Sequence, residues 1–376
     1  MRIGILTLPL HTNYGGILQA YALQTVLERM GHKVNVIGAP VIVKHLPLWR
    51  KILSVSKRLC QRYLLGRKDI LIDREKEEYK RAITTRKYTT QFVDKYIHTR
   101  KVYRLQEIQQ NDYDAIIVGS DQIWRTDYNQ QWEQQNADDI YLGFTKDWCL
   151  KRIAYAASFG KDKVELKGKE LKLCKEAISK FNAISVREEN GVNLCREIFG
   201  VKATVMPDPT LLLSYDDYKK LIPDISNTSK PNFLLSYILD DNVEKSSLRD
   251  KIANEKGLMI KITNKSDYID NNGEYPPQPP VEAWLKAFAE CKYVITDSFH
   301  ACVFSIIFHK QFTVIANKER GVSRFQTLLK MFGLTDRMVY SPSEYRVLQD
   351  IDFAKVDDII KNKQEEALLF LRENLK

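Results

Sequence analysis

The chain has 376 residues, of which 44% are hydrophobic and 28% are charged, and its formal net charge at pH 7 is +10. This composition is typical of a globular protein and excludes disordered, collagen-like and disulfide-scaffold classes, while the length predicts two ordinary domains. No apolar run reaches the roughly 18 residues that a membrane-spanning helix needs, and the N-terminus lacks the cleavage site of a signal peptide.

The positive charge is concentrated in one segment. Residues 44–104 contain 18 Lys and Arg against 6 Asp and Glu, a net charge of +12, and the rest of the chain has a net charge of −2. Nucleic-acid binding is not expected, because the basic residues lie on no recognisable base-reading element. The six cysteines include no C-x-x-C and the six histidines have no metal-ligand spacing, which predicts reduced core cysteines in a cytosolic protein and no metal site.

Short apolar strands alternate with helices in the first half of the chain. The run at 2–8 predicts a buried strand, residues 17–30 are apolar at helical spacing, Gly31 is expected to end that helix, and 33–37 form the next strand. This β-α-β pattern predicts a parallel sheet. Further strands are predicted at 115–119, 152–156 and 183–187, and helices at 166–180 and 188–198.

A second series of the same kind follows. Strands are predicted at 232–237, 258–262, 293–297 and 312–316, and helices near 242–255, after 280, from about 300 and at 353–375. The fold class is therefore α/β, with two Rossmann-like domains whose parallel sheets face a cleft. The predicted units are an N-terminal domain at 1–210 with a basic helical insertion at about 44–104, a C-terminal domain at 211–350, and a C-terminal helix at 351–376 that could pack back across the cleft.

Ligands of open α/β sheets bind beyond the carboxyl ends of the strands. Asn13, Gly15 and Gly16 follow the first strand, where glycines let the backbone approach a ligand and a helix N-terminus favours an anion. Ser120 and Asp121 follow the strand at 115–119. A simple turn and a helix cap would explain the same residues, so both interpretations stay open.

Arginines follow two other predicted strands. Arg187 can bind phosphate or carboxylate with its planar guanidinium, or can form a structural ion pair with Glu188. Asn317, Arg320 and Arg324 come after the strand at 312–316, and the two arginines share one face if that stretch is helical. They could bind an anionic ligand or remain solvated.

The sharpest site is the strand-to-helix turn Thr296-Asp297-Ser298-Phe299-His300. A His at such a turn, with Asp297 three residues before it, can act as a general acid or base in an oriented tautomer. The adjacent helix N-terminus would also support an anion.

Taken together, these motifs resemble the polysaccharide pyruvyl transferase family. The stretches that carry the resemblance are Asn13-Tyr14-Gly15-Gly16 with Gln19, Ala20, Tyr21 and Leu23, Val118-Gly119-Ser120-Asp121-Gln122-Ile123-Trp124, Tyr155-Ala156-Ala157-Ser158-Phe159-Gly160, Ser185-Val186-Arg187-Glu188, Asp208-Pro209-Thr210-Leu211 and Thr296-Asp297-Ser298-Phe299-His300.

The resemblance implies a GT-B-type fold and transfer of pyruvate from phosphoenolpyruvate to two hydroxyls of a sugar, forming a ketal in bacterial exopolysaccharide, capsule or cell-wall precursors. It implies no further cofactor and a cytoplasmic enzyme, and it implicates Arg187 and His300 with phosphoenolpyruvate. Several members have Arg two residues before that His, where this chain has Ser298. Either Arg320 or Arg324 then supplies the charge, or the donor differs.

A mechanism follows as a hypothesis. Arg187 would hold the carboxylate or phosphate of the donor, His300 would act as acid or base, and Asp297 or Asp121 would orient or activate the hydroxyls. Two alternatives stay open: a GT-B-type glycosyltransferase that uses a nucleotide sugar, and a non-catalytic membrane-surface or glycan-binding protein.

The basic segment contains an amphipathic stretch at 48–65. Its apolar residues Leu48, Ile52, Val55, Leu59 and Tyr63 fall on one helical stripe, with basic residues beside them. Such a helix can lie on the inner face of the cytoplasmic membrane, where a lipid-linked acceptor would be found, or its apolar stripe can pack on the N-terminal domain. The sequence leaves both open.

Overall fold

The protein is described by a computed structural model that covers residues 1–40, 48–67, 72, 74–125, 128, 132, 135–223, 232–263, 275–317 and 321–376. Two parallel sheets, each flanked by helices, dominate the fold. The strands of the first sheet are β1 (Arg2–Leu6), β2 (Lys33–Gly38), β3 (Thr99–Lys101), β4 (Ala115–Val118), β5 (Lys151–Ala157), β6 (Ala183–Val186) and β7 (Thr204–Val205). Its order is β3-β2-β1-β4-β5-β6-β7.

The second sheet has five strands in the order β12-β11-β10-β8-β9. These are β8 (Phe233–Tyr237), β9 (Met259–Ile262), β10 (Tyr293–Thr296), β11 (Gln311–Ile315) and β12 (Met338–Val339). Every residue of its central strands β8 and β10 is buried, as expected for a parallel sheet that is covered on both faces. This confirms the predicted α/β class with two parallel sheets.

Helices connect the strands throughout. Those of the first half are α1 (Tyr14–Arg29), α2 (Leu48–Tyr63), α3 (Arg74–Thr85), α4 (Lys87–Tyr96), α5 (Gly168–Ile178) and α6 (Glu189–Leu194). Those of the second half are α7 (Tyr215–Lys219), α8 (Val243–Lys256), α9 (Val281–Glu290), α10 (Phe299–Ile307), α11 (Ser323–Met331) and α12 (Phe353–Leu375). Among the described helices, none combines the length and the apolar composition that crossing a bilayer requires.

The structure confirms the predicted end of the first helix and corrects two other predictions about local structure. Helix α1 ends just before Gly31, which has a φ of 88°, as predicted. The basic segment is not helical throughout, because its last part forms β3 and pairs with β2 at the edge of the first sheet. The expectation that all cysteines lie in the core is wrong for Cys60 and Cys149, which are exposed.

The two sheets are joined by packing as well as by the chain. Tyr14 of α1 stacks on Trp284 of α9 with 5.3 Å between ring centroids, so one apolar core runs from the first half into the second. Helix α12 contacts the first half of the chain, because the ring of Phe370 lies 6.2 Å from that of Tyr155. Its Gln364 Nε2 also donates to the carbonyl of Leu211, which follows β7, at 2.7 Å. The predicted domain limits at 210 and 350 remain predictions.

Candidate functional site

A cavity of about 390 Å³ lies between the carboxyl ends of the two sheets. Both halves of the chain line it. The first half contributes Leu8, Thr12, Asn13, Tyr14, Gly15, Asp121, Gln122 and Tyr128. The second half contributes Tyr237, Leu239, Gln278, Trp284, Asp297, Ser298, Phe299, His300 and Arg324. This is where open parallel sheets bind ligands, and the volume is in the usual range of about 300–1,000 Å³ for small-molecule sites.

Two helices begin at the wall of this cavity. Helix α1 places Gly15 there and α10 places His300 there, so the N-terminal ends of both helices converge on one space. The approach is so close that a Cβ on Gly15 would lie 2.1 Å from Cγ and Nδ1 of His300. Only glycine fits at this position, and the paired helix ends favour a bound anion.

His300 faces a carboxylate that comes from the other half of the chain. Its Nε2 lies 3.5 Å from Oδ2 of Asp208, and this buried nitrogen has no hydrogen-bond partner within the described part of the chain. Asp208 follows β7 and accepts hydrogen bonds from Ser120 Oγ at 2.9 Å and from the Thr210 amide and hydroxyl. Asp208 is therefore held rigidly, and the His300 ring faces it through Nε2.

Asp208 is charged in spite of its burial. Burial alone would raise its pKa, but the imidazole of His300 and the guanidinium of Arg187 outweigh that effect and hold the pKa well below its usual range. Arg187 Nη1 donates to Asp208 Oδ2 at 2.8 Å. These groups form a buried chain that links the ends of β6, β7 and α10.

Arg187 lies deeper than the sequence predicts. Its side chain is 2% exposed and is not among the residues that line the cavity, because it is held by Asp208 and lies 3.7 Å from Oδ1 of Asp121. Burial opposes its charge, but Asp208, Asp121 and Glu188 outweigh that effect and raise its pKa. Arg187 thus lies behind the residues that line the cavity, and its direct contact with a ligand remains a prediction.

Arg324 is the arginine that lines the cavity. Helix α11 carries it, and its guanidinium carbon lies 5.7 Å from the ring centroid of Phe299. The guanidinium carbon of Arg187 lies 4.3 Å from the same centroid. Burial, and then the nearby charge of Arg187, lower the pKa of Arg324 to about 10. The ring of Phe299 is thus held next to two cations, which its negative faces stabilise.

Asp297 does not orient His300, contrary to the expectation from their spacing. Its carboxylate accepts from the Leu239 amide at 2.6 Å and forms an ion pair with Lys245 Nζ at 2.7 Å. The backbone after β10 turns into α10, which sends the two side chains to different neighbours. Asp297 still lines the cavity, so its contact with a ligand remains a prediction.

The remaining predicted residues divide into lining and supporting positions. Asn13 lines the cavity, and its Nδ2 donates to Asp121 Oδ2 at 3.0 Å. Asp121 has a φ of 61°, a conformation uncommon outside glycine. Gly16 lies against the same pair without lining the cavity. Ser120 bonds Asp208 behind the wall, and Ser298 lines the cavity at the start of α10.

Asn317 is a further predicted residue that does not line the cavity. Asn317 Nδ2 donates to Asp240 Oδ2, at 2.6 Å, and is not among the lining residues. Arg320 lies outside the described residues. The suggestion that one of two arginines supplies positive charge therefore rests on Arg324.

Sequence reasoning gave Asp208 no role, although its motif was noted. An Asp before Pro is an ordinary cap for a turn, and Asp208 does accept from the Thr210 amide in that way. Its pairing with His300 joins residues 92 positions apart, and no local pattern reports it. The one sequence feature that could have indicated a role for Asp208 is its position just after a strand, where ligands of parallel sheets bind.

Comparison with known proteins gives a family and a fold. The model of the polysaccharide pyruvyl transferase family matches residues 13–319. No curated protein matches the chain. A putative UDP-N-acetylglucosamine 2-epimerase from Listeria monocytogenes has a similar fold, with a TM-score of 0.50 and 8% identity over 98% of this chain and 91% of that one.

Two more solved structures are similar at lower scores. UDP-GlcNAc 2-epimerase from Neisseria meningitidis, bound to UDP-GlcNAc, has a TM-score of 0.48 at 10% identity, covering 100% of this chain and 99% of that one. The spinosyn rhamnosyltransferase has a TM-score of 0.42 at 11% identity, covering 100% and 96%. At such identities the likeness concerns the fold alone, which is of the GT-B type. The family model covers most of the chain, from the glycine loop of α1 past His300, and the protein belongs to the polysaccharide pyruvyl transferase family.

Proposed function

We propose that this transferase moves pyruvate from phosphoenolpyruvate to two hydroxyls of a sugar, forming a ketal. The observation that carries the proposal is the convergence of His300, Arg324 and the N-terminal ends of α1 and α10 on one cavity between the sheets. Phosphoenolpyruvate carries about three negative charges, which need cations and helix ends to hold them. Family membership supports the same reaction class.

The donor would lie between Arg324 and His300. Arg324 is charged at neutral pH because its pKa, although lowered, is about 10. Its fork of N–H groups would bind the carboxylate or the phosphate, and the amides at the start of α10 would take the other group. Arg187 would act from behind the wall, since it holds Asp208 and stacks on Phe299. We assign it as a positioning residue.

The chemistry balances with one acid–base group. A sugar hydroxyl attacks the enol carbon of the donor. His300 takes the proton of that hydroxyl and passes it to the methylene carbon, which becomes a methyl group. The carbon–oxygen bond to phosphate then breaks, and the second hydroxyl attacks the same carbon. Its proton leaves with the phosphate. Asp208 holds the His300 ring in place during both steps, and Asp121 orients the hydroxyls.

The acceptor that we propose is a sugar unit of a bacterial exopolysaccharide, capsule or cell-wall precursor, carried on a lipid diphosphate. The enzyme would then act in the cytoplasm, at the inner face of the cytoplasmic membrane. No cofactor beyond the donor is part of the proposal.

A thermal-shift panel tests the donor. The intact protein is heated with phosphoenolpyruvate, with inorganic phosphate or with a nucleoside diphosphate. We expect phosphoenolpyruvate to raise the midpoint, Arg324→Met to remove the rise, and Lys330→Ala on the same helix to keep it. A rise with the nucleoside diphosphate alone would favour a nucleotide-sugar glycosyltransferase instead. No rise with any of them, together with no turnover, would favour a protein that keeps the fold without the chemistry.

A further inference from the structure

Helix α2 is turned the opposite way from an ordinary surface helix. Its large apolar side chains are exposed, including Trp49 at 60%, Ile52 at 59% and Leu53 at 63%. The half-buried side chains of this helix are mostly polar: Ser54, Val55, Arg58, Gln61 and Arg62. An amphipathic helix normally buries its apolar face against the core. Within the described part of the chain, most of each of these three apolar side chains is therefore exposed and not covered by the N-terminal domain.

The exposed surface continues beyond the end of the helix. Tyr63, Leu64 and Leu65 are each at least 70% exposed, and they extend the row begun by Trp49 and Ile52. We name these exposed residues, together with Leu53 and Leu59, the apolar face of α2. A contiguous exposed apolar surface of this kind marks an interaction site rather than ordinary surface variation.

The charge around this face indicates what covers it. Residues 48–67 contain six Lys and Arg and no Asp or Glu. A second copy of the chain would bring two strongly basic segments together, which repulsion disfavours. An anionic lipid surface instead attracts the basic side chains and accepts the apolar ones, and Trp and Tyr favour the level of the headgroups.

We propose that α2 docks the protein on an anionic membrane surface, lying in the plane of the headgroups with its apolar face buried among the acyl chains. The helix would lie along the surface, with Arg58 still anchored to the rest of the chain through its bond to the Ile72 carbonyl at 3.2 Å. The docking itself does not depend on the proposed function. Only its purpose does, which is to bring the site to a lipid-linked acceptor.

Vesicle co-sedimentation of the full chain tests the docking without substrate. We expect binding to phosphatidylcholine vesicles that contain about 30% phosphatidylglycerol, at least about tenfold weaker binding to pure phosphatidylcholine, and a loss of binding when salt rises from about 0.1 M to about 1 M. The triple variant Ile52→Ser, Leu53→Ser, Leu64→Ser should bind at least about tenfold less tightly. A matched variant with three exposed apolar residues changed elsewhere, Val243→Ser, Val347→Ser, Leu369→Ser, should bind as the wild type does.

Tryptophan fluorescence reports the depth of insertion. Of the five tryptophans, Trp49 is exposed and Trp148 is half-buried, whereas Trp124, Trp132 and Trp284 are buried. Anionic vesicles should shift the emission to shorter wavelength, and Trp49→Phe should remove most of the shift while binding changes less than about threefold. Equal binding to neutral vesicles, or unchanged binding of the α2 triple variant, would overturn the proposal. So would a dimer in solution that the triple variant dissociates, because the face would then join two copies. Since none of these measurements uses phosphoenolpyruvate, their failure would leave the proposed reaction untouched.

Discussion

Gly15 and His300 lie so close that the site has no room for a side chain between them: a Cβ on Gly15 would be 2.1 Å from the His300 ring. The contact joins α1 of one half of the chain to α10 of the other. Because the Gly15 backbone supports the imidazole directly, the two halves have to be docked before the site exists.

Gly15→Ala should therefore displace His300 rather than unfold the chain. We expect kcat/KM for transfer to fall at least about 100-fold, since a shift of about 1 Å in a catalytic group costs that much. The measurement is phosphate release from phosphoenolpyruvate in the presence of acceptor. Gly38→Ala is the matched control, because a Cβ there meets nothing within 4 Å. Equal activity of the two variants would disprove the role given to this contact.

Changing Arg324 or Arg187 to Lys should affect different kinetic constants. Arg324→Lys should raise the KM for phosphoenolpyruvate at least about tenfold with a smaller change in kcat, because Arg324 lines the cavity and Lys cannot form the same fork. Arg187→Lys should lower kcat and stability more than it changes KM, because Arg187 holds Asp208. Steady-state kinetics with varied donor separate the two. The reverse pattern would assign the direct donor contact to Arg187.

Asp208 should make stability depend on pH. Its pKa is lower in the folded chain than in the unfolded one, so the unfolded chain binds more protons in acid, and stability is lost as the pH falls below about 4. Asp208→Asn should destabilise the protein by about 3–5 kcal/mol at pH 7, because Arg187 loses its buried partner.

The difference in the free energy of unfolding between Asp208→Asn and the wild type should shrink as the pH falls through the acid range. Urea unfolding at pH values from about 7 to about 3 measures it. Asp216→Asn, at an exposed position eight residues away, should show neither effect. A constant difference at all pH values would mean that Asp208 is not charged in the folded chain.

Asp297 should contribute mainly to structure. Asp297→Asn breaks the ion pair with Lys245, so we expect a lower Tm, with the kcat of the folded protein kept within about tenfold. Adding Lys245→Met should restore part of the Tm, since the unpaired cation is then removed as well. Thermal unfolding and phosphate release follow the two effects. A loss of about a thousandfold in kcat at unchanged Tm would make Asp297 a catalytic residue instead.

Much of the fold follows from local sequence patterns. Apolar runs without alternation gave the central strands, such as β1 and β10, because helices bury both of their faces. The edge strands β3 and β12 were missed. They have three and two residues, and pairing with a neighbour, not their own composition, makes them strands.

The site was only partly predictable for a similar reason. Strand ends pointed to Asp121 and His300, and both line the cavity. The depth of Arg187 and the partner of His300 depend on how strands β6 and β7 place Asp208 across from α10, which no local pattern contains. The orientation of α2 was likewise undecided, because an apolar stripe has the same sequence whether it faces a core or a membrane.

Turnover with phosphoenolpyruvate tests the central claim most directly. The wild type and His300→Ala, each with its folding confirmed, are incubated with phosphoenolpyruvate and lipid-linked or nucleotide-linked sugars, and phosphate release and product mass are measured. We predict that the wild type releases one phosphate for each sugar that gains the mass of one pyruvate less one water. His300→Ala should be at least about 100-fold slower. Full transfer activity in His300→Ala, or no pyruvylated product from the wild type with any acceptor, would contradict the account.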